Sequence, residues 1–274
     1  MKRGFEAVYR DHYERLFTLA FRLTGKREDA EDVLQDAFLE AYRAYPSFRG
    51  DSSAYTWLYR ILVNRARRYR RVRARLPILD FAERLGMSVD EAFSHAASFG
   101  RSEDAALANM VRENCLQMFM NCMPARYRAV FTLRTILGFS GRECADILEI
   151  SENAVRVCHH RARALAQDHY GERCSLVSPK GPCKCRAFAA YRAAVGLPGL
   201  DGGIGDILAD EARATGEFDR ELGALMDIDR LYATRFTPGS YGAFVQRMRR
   251  LRKEGGLALL GASKAAGATD TRAG

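Results

Sequence analysis

The feature that most constrains this chain is a hydrophobic period of three to four residues that runs from Phe5 to about Asp168. Side chains return to one face of an α-helix about every 3.6 residues, whereas a half-buried strand alternates. No convincing alternation or hairpin signal is present, so an all-α fold is expected. Phe5, Val8, Tyr9, His12, Leu16, Leu19, Ala20 and Leu23 mark a first helix that stops at Thr24-Gly25. A second begins near Arg27, with Ala30, Val33, Leu34, Ala37, Phe38 and Tyr42 as its apolar set, and Pro46 forbids simple continuation beyond Tyr45. Phe48 to Ser53 reads as a loop. A third helix is expected from about Ala54 to Arg75, where Pro77 interrupts it.

Residues 77–106 mix Pro77, Gly86 and Gly100 and read as a linker with one short helix. A second helical cluster spans 107–170, with Pro124 starting one helix and Gly138 closing it. Ser140 to Leu148 reads as a short helix, Glu149-Ile150 as a tight turn, and Ser151 as an N-cap for a helix reaching Asp168, which together read as a helix-turn-helix, with an ordinary helical hairpin as the alternative. Residues 171–274 form an extension. It holds a turn-rich knot from Cys174 to Cys185, two or three helices between Ile204 and Arg252, one of them amphipathic from Phe218 to Tyr232 and suited to core packing or to holding a partner, and a tail of small residues from Gly255. The expected architecture is therefore two small helical domains, 1–76 and 107–170, joined by a linker and followed by a helical extension.

At 274 residues and 47% hydrophobic content the chain can bury ordinary cores. No apolar run is long enough to span a membrane and no signal-peptide core opens the sequence, which points to the cytoplasm and away from membranes. The net charge of +9 and pI near 9.3 favour polyanions. The excess is concentrated. Arg60, Arg65, Arg67, Arg68, Arg70, Arg71, Arg73 and Arg75 follow one another with no acidic residue between them. Such a helix repels itself unless phosphates neutralise it. Tyr55, Trp57 and Tyr59 lie just upstream and Asn64 adds an amide, the residue types that unpaired bases stack on and pair with. Taken alone, Trp57 reads as a core residue rather than a base platform. The second helix has the opposite sign, with Glu28, Asp29, Glu31, Asp32, Asp36 and Glu40. Glu28 and Asp29 suit the positive end of a helix dipole, while Asp32, Gln35 and Asp36 lie beyond it and suit either solvent or a basic protein surface. On the last helix of the pair, Val155, His159 and Ala162 are expected to face inward. Asn153, Arg156, Val157, His160 and Arg161 are left to enter a major groove, with Ser151 at the helix start.

Taken together these residues resemble the extracytoplasmic-function group of bacterial RNA polymerase sigma factors. Glu28 to Phe38 is similar to the helix that binds the polymerase clamp. Phe48-Arg49-Gly50-Asp51-Ser52-Ser53, Thr56 to Ile61 and Asn64-Arg65 resemble the segment that melts and reads the minus-10 element. Met123 to Arg128, Gly138-Phe139-Ser140, Glu143 to Leu148 and Ser151 to Arg163 resemble the minus-35 reader. The resemblance covers Phe5 to Asp168. It implies polymerase contacts at Asp29, Asp32, Gln35, Asp36 and Phe38. It implies minus-10 contacts at Phe48, Ser52, Trp57, Arg60, Asn64, Arg65 and Arg68, and minus-35 contacts at Ser151, Asn153, Arg156, Val157, His160 and Arg161. Core RNA polymerase and promoter DNA are the implied partners, with an anti-sigma factor as a further one; no catalysis and no required cofactor are implied. Departures from the pattern are Glu149 in place of the turn glycine, which is strained if a positive φ is kept, and Cys144, Cys158 and His159. Cys158 is expected to replace a DNA-facing positive charge.

The extension carries Cys174, Cys183 and Cys185 around Pro179, Gly181 and Pro182, with His169 upstream. Seven scattered cysteines do not suggest a disulfide framework. Three soft donors and an imidazole could hold zinc or copper(I), act as a thiol switch, or be inert buried thiols. The alternative functions are a helix-turn-helix regulator acting without polymerase and a thiol- or metal-responsive regulator. A metal-dependent enzyme lacks a nearby general base or nucleophile.

Overall fold

The computed structural model describes residues 2–69, 79, 82, 83, 85–195, 231, 232 and 240–253, and every regular element among them is helical. The chain divides into two units, Met1–Thr237 and Pro238–Gly274.

Helix α1 (Lys2–Thr24) buries Phe5, Tyr9, Leu16, Phe17, Leu19, Ala20 and Phe21. It ends where expected. Gly25 takes φ +87, which favours glycine, and a Cβ there would push the Asn121 side chain, 2.7 Å away, aside. Helix α2 (Arg27–Ala44) carries Glu28 and Asp29 in its first turn, favourable to the helix dipole, and closes in a tight turn at Tyr45–Ser47 around Pro46. Helix α3 (Ala54–Ala66) is capped by Ser53, whose hydroxyl accepts the Thr56 N–H at 3.1 Å. These three helices pack on one another. Phe5 lies against Phe38, Tyr42 and Tyr45 at ring separations of 5.5, 5.9 and 5.3 Å. Full burial of a side chain such as Phe5 contributes about 1.5–3 kcal/mol.

The regular part of the arginine helix is shorter than its charge run. After Ala66 the bonds Arg68 N–H to Arg65 O and Tyr69 N–H to Ala66 O, 3.1 and 3.2 Å, tighten the end into a turn. Arg70, Arg71, Arg73 and Arg75 lie outside the described residues.

The linker helix α4 (Val89–Ser98) opens with a reciprocal Ser88–Glu91 capping box. Its partner is the extension. Phe93 meets Phe188 edge-on, Tyr191 packs on His95 and Phe99, and Arg186 donates to the Ser102 carbonyl at 2.7 Å. Those residues belong to or border helix α9 (Cys185–Ala194), which also packs on α5 (Ala105–Cys122).

Asp104 caps α5, and Pro124 precedes α6 (Ala125–Phe131). A wider turn at Thr132–Ile136 continues α6, with Leu137 N–H reaching Thr132 O five residues back, before Gly138 at φ +71. Helices α7 (Gly141–Leu148) and α8 (Glu152–Tyr170) form the helix-turn-helix. Ser140 and Glu143 make a capping box for α7, and Ser151 caps α8 through Ala154 N–H at 3.1 Å. Glu149 between them has φ 57 and ψ 48, the one non-glycine positive φ among the described residues. In the second unit, α10 (Tyr241–Lys253) stacks Tyr241 on Phe244. Of the amphipathic stretch expected from Phe218 to Tyr232, only Leu231 and Tyr232 are among the described residues.

Candidate functional site

The acidic face of α2 gathers around Tyr69. Burial pushes the Tyr69 phenol up to about 12, reinforced by the charges of Asp32, Asp36 and Asp29. Asp32 is exposed; Asp29, Gln35 and Asp36 are half-buried. Phe38 is half-buried in the aromatic cluster of α1 and α2, with its ring 4.9 Å from Tyr9. Glu40, one turn beyond Asp36, is paired with Arg65 of α3.

The loop before α3 brings the expected base-stacking residues together. Phe48 lies 5.1 Å from Trp57, and Tyr45 stacks on Phe48 at 6.2 Å, so the rings form a half-buried aromatic step. Gly50 at φ +80 turns the exposed loop, and Ser52 is half-buried beside it. Asn64 is exposed and accepts from Arg67 at 2.9 Å, Arg68 is exposed, and Arg65 is held by Glu40. Arg60 is directed elsewhere: it donates to the Asp146 carbonyl of α7 at 3.0 Å and lies 3.7 Å from the Glu149 carboxylate.

That contact belongs to a joint between the first three helices and the helix-turn-helix. Phe139 packs on Tyr55 and Tyr59 at 6.1 and 4.8 Å, under the Arg15 guanidinium at 5.1 Å. Arg15 donates to the Leu137 carbonyl at 2.6 Å, and the Tyr55 hydroxyl donates to Glu143 at 2.5 Å. That hydrogen bond and the Ser140 cap hold the Glu143 carboxyl below its ordinary range. His12 stacks on Tyr55, and burial with Arg15 nearby lowers its pKa. At the far side Arg22 of α1, fully buried, donates to Glu113 at 2.9 Å and to Gln117 at 3.2 Å.

On α8 the expected reading face is free of this joint. Ser151, Asn153, Arg156, Val157, His160 and Arg161 are exposed. Asn153 accepts from Arg156 at 2.6 Å and Arg161 donates to Tyr127 at 3.1 Å. One expectation is corrected: Cys158 is 5% exposed and faces the core, so it displaces no groove-facing charge. His159 is half-buried and meets the Thr135 hydroxyl at 2.9 Å, a polar contact supplied by the wide turn after α6. Advancing one residue turns a side chain by about 100° around the helix, which is the size of the misassignment.

The extension knot is built by backbone pairing. Cys174 and Cys183 form an isolated parallel bridge, with Ser175 N–H to Cys183 O at 3.0 Å and Cys183 N–H to Arg173 O at 2.9 Å. A Cβ at Gly181 would lie 2.6 Å from the Cys174 carbonyl carbon, so only glycine admits this approach. Cys185 then opens α9, which lies along α5 and so brings the extension to Cys115. All four thiols are free and held above the ordinary thiol range. Burial is the main cause throughout. Cys174 and Cys185 also oppose ionisation of Cys115, and Cys115, Cys185 and Cys174 oppose that of Cys183. Cys115 is the member that sequence reasoning missed. His169 is turned to Phe119, stacked at 4.9 Å, with its pKa lowered by burial and by Arg173. Among the described residues no three His, Cys, Asp or Glu side chains are arranged to hold a metal ion. No described helix is long and apolar enough to cross a membrane.

Comparison with known proteins matches two families in order along the chain: sigma-70 region 2 over residues 8–76 and sigma-70 region 4 over residues 113–165. The RNA polymerase sigma-H factor of Pseudomonas aeruginosa is 32% identical over 162 residues, 59% of this chain and 83% of that protein. The ECF RNA polymerase sigma-E factor of Escherichia coli K12 is 36% identical over 135 residues, 49% of this chain and 70% of that protein. Its counterpart in Salmonella typhimurium LT2 is 35% identical over the same length. The knot and α9 lie beyond both matched regions.

Proposed function

The chain belongs to the extracytoplasmic-function family of RNA polymerase sigma factors, and from that premise we propose how its surfaces divide the work of promoter-specific initiation. Residues 1–76 bind core polymerase and open the minus-10 element, 77–106 link, 107–170 read the minus-35 element, and 171–274 regulate. Asp29, Asp32, Gln35 and Asp36 meet a basic surface of the polymerase, with Phe38 shaping that face from beneath. The observation that carries the minus-10 assignment is the Phe48–Trp57 aromatic step at the start of the helix that also presents the exposed Asn64, with the exposed Arg67 and Arg68 in the turn after it. Rings there stack on unpaired bases, each stack contributing about 1–3 kcal/mol, while the guanidinium groups neutralise phosphates. Asn153, Arg156, Val157, His160 and Arg161 enter the minus-35 major groove from α8, with Ser151 at its start. The partners are core polymerase, promoter DNA and an anti-sigma protein competing for the same faces. The place of action is the cytoplasm, with no covalent chemistry and no required cofactor.

The test is transcription from a pool of duplexes randomised across the promoter region, with purified chain and core polymerase. Selected promoters should emerge only with both present, and the chain alone should bind the selected duplexes weakly. Tight sequence-specific binding without polymerase would favour a stand-alone helix-turn-helix regulator.

A second reading concerns the thiols. Four soft donors, Cys115, Cys174, Cys183 and Cys185, supplied by α5 and the knot, suit zinc or copper(I) once their side chains rotate together and lose their protons. His169 is the weaker candidate because Phe119 engages it. Metal content should fall on Cys115→Ser and remain on Cys122→Ser, whose thiol is exposed. Equal content in both variants removes this reading.

A further inference from the structure

Tyr232 is carried by the extension, beyond both matched regions, yet it is fully buried where α1, α5, α6 and α8 meet. Its ring stands edge-on to Phe131 of α6 at 5.1 Å, and the Arg22 guanidinium of α1 lies 5.3 Å from its centre. Its hydroxyl donates to the Leu116 carbonyl of α5 at 3.4 Å, which leaves the Tyr170 hydroxyl of α8 to donate back at 3.2 Å. Leu231 enters the same core beside Phe119, Met120 and Ala166. One residue of the extension thus touches the first three-helix unit through Arg22 and the helix-turn-helix unit through Leu116, Phe131 and Tyr170. Arg22 also grips Glu113, so the tyrosine covers the ion pair that crosses the same joint.

The joint opposes bipartite promoter reading. Here α3 packs directly on α7, one helix before the reader α8, so the two reading surfaces are a few helix diameters apart, each about 10 Å. Elements centred at minus 10 and minus 35 are separated by about 85 Å of duplex at about 3.4 Å per base pair. Both cannot be held while Phe139 lies under Tyr55 and Tyr59 and while Arg60 is spent on Asp146 and Glu149.

We propose that Tyr232 is the pin of an intramolecular clasp: the extension inserts it between the two DNA-reading units, holds them closed, and must withdraw it before the chain spans a promoter. This rests on the sigma-factor reading. The ring supplies the packing and the hydroxyl supplies the link to Leu116 and Tyr170, so the two parts can be removed separately.

The experiment uses the full chain as wild type, Tyr232→Ala and Tyr232→Phe. Small-angle X-ray scattering reads the radius of gyration, circular dichroism the helix content, and transcription at limiting core polymerase from the selected promoter pool the activity. Tyr232→Ala should enlarge the radius of gyration with helix content kept. It should also raise transcription by about tenfold, as expected if the open form starts at about a tenth of the population. Tyr232→Phe should fall between it and wild type. Unchanged radius and activity in a folded Tyr232→Ala chain overturn the clasp. If Tyr232→Ala loses helix content, Tyr232→Phe decides, and no rise in its radius or activity overturns the clasp. If neither the wild type nor a folded Tyr232→Ala chain yields a promoter-dependent transcript, the sigma reading is overturned instead, while scattering still decides whether the clasp exists.

Discussion

Arg22 in α1 and Glu113 in α5 meet at 2.9 Å with both side chains fully buried, and Arg112 reaches the other Glu113 oxygen at 2.8 Å. One carboxylate therefore serves two guanidinium groups away from water. Removing one partner of a buried pair leaves an uncompensated charge, whereas replacing the whole pair by apolar groups is often close to neutral. Glu113→Ala should cost about 3–5 kcal/mol by urea unfolding. The triple variant Arg22→Met, Arg112→Met, Glu113→Leu, which removes both guanidinium groups with the carboxylate, should recover much of that loss. A Glu113→Ala loss below about 1 kcal/mol, the range of exposed pairs, would contradict the buried arrangement.

Glu149 holds a left-handed conformation that costs a side chain about 1–2 kcal/mol, and glycine adopts it freely. Its carboxylate lies 3.7 Å from Arg60 in an exposed setting, where an ion pair contributes about 1 kcal/mol or less. Glu149→Gly should raise the unfolding midpoint only slightly, by a net gain of a few tenths of a kcal/mol, once the ion pair and glycine's greater unfolded-state entropy are subtracted from the strain relief. A lower midpoint would mean that the Arg60 contact outweighs the backbone strain.

Asp32→Lys with Asp36→Lys should abolish stable association with core polymerase, a loss of about tenfold or more from reversed charge, while helix content stays at the wild-type level. The same change should bring the Tyr69 phenol down from about 12, since Asp32 and Asp36 reinforce its burial. Ultraviolet titration reads the second effect without polymerase. Unaltered polymerase binding would remove the acidic face from the interface.

His12 and His169 both have pKa values below the ordinary 6.5 because burial disfavours the imidazolium. As pH falls below 6.5 the unfolded chain takes up these protons first, so stability is present in full above that value and is lost on acidification. His169→Phe should flatten the decline in urea midpoint between neutral and acidic pH. An identical slope in the variant would show that His169 does not titrate in this way.

Much of the fold is legible locally. Gly25, Pro46, Ser53 and Ser151 end or begin helices through their own backbone chemistry, and the helix-turn-helix with its strained Glu149 follows from neighbouring residues. The Phe48–Trp57 step is legible as a combination of types, although its geometry is not. The orientation of Cys158 was misread because a helix face is fixed by the partner it packs on, and here α6 continues in a wide turn that offers Thr135 to His159. Cys115 carries no local signal, because it lies in the middle of an ordinary helix. Tyr232 belongs to a stretch whose amphipathic pattern points to packing on the helical domains, but that pattern does not say which residues it meets, and both residues gain their meaning from contacts more than fifty residues away in the chain. The linker helix is expected without a partner because that partner, α9, follows the helix-turn-helix in the chain.

The pairing of α4 with α9 gives the linker helix a foundation that comes from beyond the helix-turn-helix. Ala82 and Ala92 pack on Tyr191, and α9 in turn lies on α5, so α4 is anchored to α5 through the extension. Cutting the chain before Cys185 would therefore unseat α4 as well, and Val89–Ser98 would report whether α9 is in place.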